Sequence, residues 1–177
     1  MKEKQQRRVR IRLYHKEAIF LTPEHWVTNK RWACKADLIR VSQKNIQSLI
    51  EAGIAFSRRE GEELITGPEA TPPSMSSVLR DDLIPDDEKR AFTKTPFIYS
   101  PGTTSSSIRL YRDFENRIIG IQENYVPLMD LGSPFQEEVD RGIYVFREGE
   151  IVAVVMPIAG FYYQDEFKKL AQKIATA

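Results

Sequence analysis

Residues 142–158, GIYVFREGEIVAVVMPI, constrain the fold more than any other stretch of the chain. Apolar runs at Ile143–Phe146 and Ile151–Ile158 flank a polar segment, Arg147-Glu148-Gly149-Glu150. β-Branched residues on both sides of a Gly-bearing turn predict a hairpin with a loop longer than two residues. The second run is apolar at almost every position, which predicts a central strand covered on both faces. Pro157 has no N–H to donate, so pairing should stop near Met156. The pattern recurs in Gly53–Ile65, GIAFSRREGEELI, with the same Gly-Ile start and the same turn at Arg59–Glu62.

A second coincidence supports duplication. Ile108-Arg109-Leu110-Tyr111 repeats Ile11-Arg12-Leu13-Tyr14 letter for letter. Thr22-Pro23-Glu24 reads as a capped helix start, and Glu24, Trp26 and Val27 are matched by Glu123, Tyr125 and Val126. Ser42 reads as the cap of a helix over Gln43–Ala52, and Ser133-Pro134-Phe135-Gln136 as a capping box; Gly53 and Gly142 are the corresponding stops. The predicted class is therefore α+β: two pseudo-repeated strand-strand-helix-hairpin units with antiparallel sheet. Residues 1–66 form the first repeat, with a basic N-terminal strand and an inserted segment around Asn29–Leu38. Residues 67–106, with six of the ten prolines and many Ser and Thr, read as a connector. It holds short helical turns near Ser77–Leu83 and Asp86–Phe92 and an extended Phe97–Tyr99. Residues 107–177 form the second repeat plus an amphipathic helix over Gln164–Ala175, with Phe167, Leu170, Ala171 and Ile174 at helical spacing. The whole is expected to form one compact domain.

The net charge of +1 conceals a polarity. Residues 1–59 carry 14 Lys and Arg against five acids, a net +9, whereas residues 60–177 carry 12 against 20, a net −8. Blocks of this kind suit a polyanion-binding surface, or two halves that dock on each other. Cys34 is the only cysteine, which excludes an internal disulfide and points to a reducing, cytoplasmic setting. The charged start has no apolar segment of a secretory leader, and no run is long enough to span a membrane.

Within the basic block, Arg8, Arg10, Arg12 and Tyr14 alternate with Val9, Ile11 and Leu13, the pattern of a half-buried strand with a cationic outer face. The arginines stand roughly 6–7 Å apart along it, which suits successive phosphates of a nucleic-acid strand. The same alternation serves an edge strand that repels unwanted pairing. Lys30, Arg31, Trp32 and Lys35 in the inserted segment combine cations with an indole, the pairing needed for phosphate contact plus base stacking; a buried core Trp is the plain alternative.

Catalytic signals are missing from the sequence. It has no Gly-rich phosphate loop, no Gly-x-Ser-x-Gly elbow and no His-Glu-x-x-His. His15, His25 and Cys34 are too scattered for a closed zinc site, so neither a metal nor a cofactor is expected. Asp81, Asp82, Asp86, Asp87 and Glu88 could gather a hard cation, but their loop context reads as a solvated acidic segment. Asp87-Glu88-Lys89 matches one half of a metal-dependent nuclease site and lacks the core strand that such chemistry needs.

Ile119-Gly120-Ile121-Gln122-Glu123-Asn124-Tyr125-Val126-Pro127-Leu128-Met129, followed by Ala153-Val154-Val155-Met156-Pro157-Ile158, resembles the closing part of a bacterial sliding-clamp domain. Similar endings occur in uncharacterised phage and mobile-element proteins. The resemblance covers about a quarter of the chain and implies a duplicated strand-helix-strands unit working beside nucleic acid. The long connector and the segment after Met156-Pro157 depart from the clamp pattern, and no contact residue transfers. The expected function is a non-enzymatic binding protein, encoded by a phage or mobile element, acting on nucleic acid or a nucleic-acid machine. The alternative is a protein–protein module or inhibitor of a host protein, with self-association a further partner class; a metal-dependent nuclease comes third.

Overall fold

The computed structural model describes residues 8–76, 79, 91–100, 107–113, 115–136, 142–158 and 165–176. The acidic run at 81–88 and most of the helical turns expected at 77–92 lie outside them. The described residues form an α+β protein, and their contacts divide the chain into two compact units, Met1–Leu83 and Ile84–Ala177.

The first unit begins with β1 (Val9–Ile11), β2 (Ile19–Leu21), β3 (Trp26–Thr28), β4 (Trp32–Lys35) and β5 (Ile39–Val41). Helix α1 (Lys44–Glu51) and strands β6 (Phe56–Arg58) and β7 (Ile65–Thr66) complete it. Strands β4, β3, β2, β6 and β7 neighbour one another in that order, with antiparallel pairing. Ile19, Phe20, Leu21, Trp26, Val27, Trp32, Cys34 and Phe56 are buried. Burial also pushes the Cys34 thiol far above its ordinary range, so it is a packed apolar group rather than a nucleophile.

The basic N-terminal strand is not part of that sheet. β1 pairs in parallel with β5, Val9 opposite Ile39, Arg10 opposite Arg40 and Ile11 opposite Val41. The predicted antiparallel sheet holds for the other strands, and this parallel pair is an addition to it. The pairing joins segments about 30 residues apart through a crossover, as parallel strands require, and no local signal announces it. The contact continues past the ladder, where Ser42 donates its N–H to the Ile11 carbonyl at 2.9 Å and its Oγ accepts the Leu13 N–H at 2.8 Å. Ser42 is thus spent on β1, and Gln43 occupies the cap position of α1 without a capping side-chain hydrogen bond. The far end of α1 is closed by Gly53 at φ 67°. Its N–H reaches the Ile50 carbonyl at 3.1 Å and the Ile54 N–H reaches that of Leu49 at 3.0 Å, a Schellman stop.

Thr22-Pro23-Glu24 does not start a helix. Thr22 donates its N–H to the Trp26 carbonyl at 2.8 Å, and its Oγ1 accepts the Trp26 N–H at 3.1 Å. With His25 at φ 63°, the capping chemistry closes a tight turn into β3. The segment expected as an insertion is mostly the tip and second strand of the β3–β4 hairpin.

The second unit contains β8 (Thr93–Tyr99), β9 (Ile108–Arg112), β10 (Ile118–Gln122), the single turn α2 (Val126–Met129), β11 (Ser133–Phe135), β12 (Ile143–Arg147), β13 (Glu150–Val155) and α3 (Asp165–Thr176). Strands β10, β9 and β8 form one antiparallel set, and β11, β12 and β13 are consecutive neighbours. The stretch read as connector therefore carries a seven-residue strand, β8. Pro96 sits in it where the ladder shifts between Lys94 and Ile98, the place that a residue without an N–H can occupy. Ile108 and Leu110 of β9, Tyr99 of β8, and Phe167 and Ile174 of α3 form one apolar cluster. Phe167 meets Tyr99 edge to face at 6.1 Å. Ser133-Pro134-Phe135 is strand β11, not a capping box, and its Pro134 carbonyl accepts the Phe92 N–H at 3.0 Å.

The two Arg-Glu-Gly-Glu segments differ in form. Arg147 pairs with Glu150, leaving a two-residue turn with Glu148 at φ 52° and Gly149 at φ 80°, a type I′ geometry. The longer loop expected there shrinks because Glu148 accepts the left-handed conformation. In the first copy, Ser57 pairs with Ile65, so Arg59–Glu62 is one bend within a longer loop. Ile11–Tyr14 and Ile108–Tyr111 also differ, since one flanks a parallel pair and the other forms the middle of an antiparallel sheet.

Candidate nucleic-acid interface

The β1–β5 pair turns its apolar residues inward and its cations outward. Ile11, Leu13, Ile39 and Val41 are buried, while Arg8, Arg10, Arg12 and Arg40 are exposed. Arg10 and Arg40 are register partners, so their stems leave neighbouring strands roughly 4.8 Å apart on the same face. Like charges directly opposite each other destabilise a strand pair. Among the described residues, neither guanidinium has a salt bridge, and Arg12 has none either. Glu51 supplies the nearby counter-charge: Arg8 donates to its Oε1 at 3.2 Å, and Arg40 acts on it through space without a salt bridge.

Glu51 is tied into the layer beneath. Buried Gln47 donates to the same Glu51 oxygen at 3.1 Å and accepts the Val41 N–H at 2.9 Å. The Gln47 hydrogen bond, helped by the Arg8 and Arg40 charges, holds the Glu51 carboxyl below its usual range. One polar chain therefore runs from the β5 backbone through α1 to Arg8 and fixes the ladder on its helix.

Tyr14 follows the ladder at the next alternate position. It is 51% exposed, and the Arg12 guanidinium lies over its ring at 5.6 Å. Its backbone is held at both ends by Glu17: the Tyr14 N–H donates to Glu17 Oε2 at 3.0 Å, and the Glu17 N–H returns to the Tyr14 carbonyl at 3.1 Å.

The other carboxylate oxygen of Glu17 accepts the Asn29 side-chain amide. Asn29 Oδ1 in turn accepts the Arg31 and Trp32 N–H groups at 2.8 and 2.9 Å, which shapes the β3–β4 tip. Lys30 takes a left-handed φ of 73° there, and its ammonium rests over the Phe20 ring at 5.3 Å. Glu17 thus joins the Arg8–Tyr14 strand to the Lys30–Arg31 tip, two sets that the sequence could only place separately.

The remaining expected site residues do not join them. Trp32 is 2% exposed and points into the sheet, so it cannot stack on a base. Strand alternation after the Asn29 turn sends it inward. Its Nε1 has no hydrogen-bond partner among the described residues. Lys35 is half-buried opposite Trp26, four residues and roughly 13 Å of strand from Arg31. Arg40 was missed, although Ile39-Arg40-Val41 repeats the in-out-in pattern of β1.

The second unit handles its cations differently. Arg109, the sequence counterpart of Arg12, donates to both oxygens of Glu123 at 2.7 and 3.1 Å. Arg117 is paired with Asp113 at 3.0 Å and Lys94 with Asp130 at 3.1 Å. Arg112 donates to the Ile174 carbonyl at 3.1 Å in the last turn of α3. These cations hold the fold together, while those of β1–β5 face water.

No group of three or more His, Cys, Asp or Glu residues among those described is placed to hold a metal ion. No described helix is long and apolar enough to cross a membrane. No family model, curated protein or solved structure matches the chain.

Proposed function

We propose that this chain is a binding protein for nucleic acid, acting on it directly or within a nucleic-acid machine, through the face of β1 and β5. The observation that carries the reading is the Arg10–Arg40 pair, two cations held side by side on an open face with no salt bridge among the described residues. Such an arrangement weakens the fold when empty and is relieved when a phosphate backbone lies across it. Arg8 and Arg12 extend the row along β1, and Lys30 and Arg31 extend it onto the β3–β4 tip. A strand that only repelled edge pairing would be served by isolated cations; it would not need Arg40 on its already paired neighbour.

A polyanion bound this way releases counterions, so affinity must fall steeply with salt. Anisotropy titrations of a labelled oligonucleotide from low to physiological salt should give a log–log slope of about −3 or steeper, since each neutralised phosphate of a single strand contributes about −0.7. A slope near zero, or binding that never saturates, contradicts the reading.

A further inference from the structure

We propose that the ligand of this face is single-stranded nucleic acid and that Tyr14, rather than Trp32, is the side chain on which a base stacks. The inference rests on the nucleic-acid reading above and adds the strandedness and the stacking residue. Tyr14 is the most exposed of the large hydrophobic side chains among the described residues. Its backbone is nonetheless held, because Glu17 bonds both its N–H and its carbonyl, so little main-chain ordering entropy remains to be lost on binding.

The surroundings suit one chemistry. Arg8, Arg10, Arg12 and Tyr14 project at alternate positions from one side of the chain, three cations followed by a ring. Arg40 doubles the cationic row at Arg10, and Glu17 ties the Tyr14 backbone to the Lys30–Arg31 tip through Asn29. A strand that laid its phosphates along the arginines would bring a base to Tyr14, with the Arg12 guanidinium already against the same ring at 5.6 Å. Aromatic stacking needs an open base face. A duplex closes those faces in its own stack, so a ring among phosphate-binding cations is useful only to an unpaired strand.

The test uses the full chain, a labelled oligothymidylate and a duplex of equal length. The single strand should bind more tightly than the duplex. Tyr14→Ala should weaken single-strand binding by roughly 5- to 150-fold, the range for one stacked base, with the salt slope and duplex binding unchanged. Tyr14→Phe should bind like the parent, because the ring and not the hydroxyl is used. The side chain is solvent-exposed and its backbone bonds survive both changes, so circular dichroism should stay native. Unchanged affinity in Tyr14→Ala, or preference for the duplex, overturns the inference while a steep parental salt slope leaves the nucleic-acid reading standing. A parent protein that shows no salt-dependent binding overturns both.

Discussion

Replacing Gly132 by alanine should destabilise the second unit by roughly 3 kcal/mol or more. A Cβ at this position would lie 2.0 Å from the Phe146 carbonyl oxygen and 2.8 Å from its carbon. Both are backbone atoms of β12, directly beside the Ser133–Phe146 register pair, so no side-chain rotation relieves the clash. Either β11 separates from β12 or the bend before it is rebuilt. The Phe135–Phe146 edge-to-face contact at 5.9 Å should be lost with the pairing. Gly53→Ala is the control. Gly53 has φ 67° with nothing within 4 Å of a built Cβ, so it should cost only the left-handed penalty of about 1–2 kcal/mol. Urea unfolding of both variants checks the order, and a Gly132→Ala cost equal to or below that of Gly53→Ala contradicts the geometry.

Trp32→Ala should also be severe, costing about 3–5 kcal/mol for emptying a buried aromatic site. Trp32→Phe should cost far less. It keeps most of the apolar ring and removes an indole N–H that is buried without a partner among the described residues, a group expensive to leave unsatisfied. Melting curves of the two variants should therefore separate widely. The folded fraction of Trp32→Ala should bind oligonucleotide as the parent does. A marked loss of affinity in a still-native Trp32→Ala would place the indole at the interface after all.

How much of this was legible in the sequence depends on the range of the interaction concerned. Helix α1 shows in the spacing of Ile46 and Ile50 and in the Gly53 stop, because amphipathic period and C-cap are local. Strands β12 and β13 show in the β-branched runs around Glu148-Gly149 for the same reason. Thr22 and Ser133 mislead because a Ser or Thr hydroxyl that caps a helix can equally close a turn or start a strand. Tertiary pairing decides between those uses: Thr22 is bonded to Trp26, and Ser133 lies opposite Phe146. The parallel β1–β5 pair was invisible because its partners are linked only through β2, β3 and β4.

The candidate site divides along the same line. Arg8, Arg10 and Arg12 are readable from strict alternation. Arg40 requires knowledge of which strand lies beside β1. Trp32 reads as a stacking residue from its type and neighbouring charge, and its burial reverses that reading. Tyr14 is readable as an outward residue, yet the stacking role proposed for it depends on where Arg12, Glu17 and the Asn29 turn lie.

The most direct test of the account is the salt dependence of oligonucleotide binding by the Arg10→Ser, Arg40→Ser double variant, measured beside its stability. Arg8 and Arg12 are left in place so that the Glu51 pair and the Tyr14 contact persist. Losing two phosphate contacts should make the log–log slope shallower by about 1.4. Stability should hold or rise, because a repulsive cross-strand pair has been removed. An unchanged slope in a natively folded double variant would contradict the assignment of this face to nucleic acid.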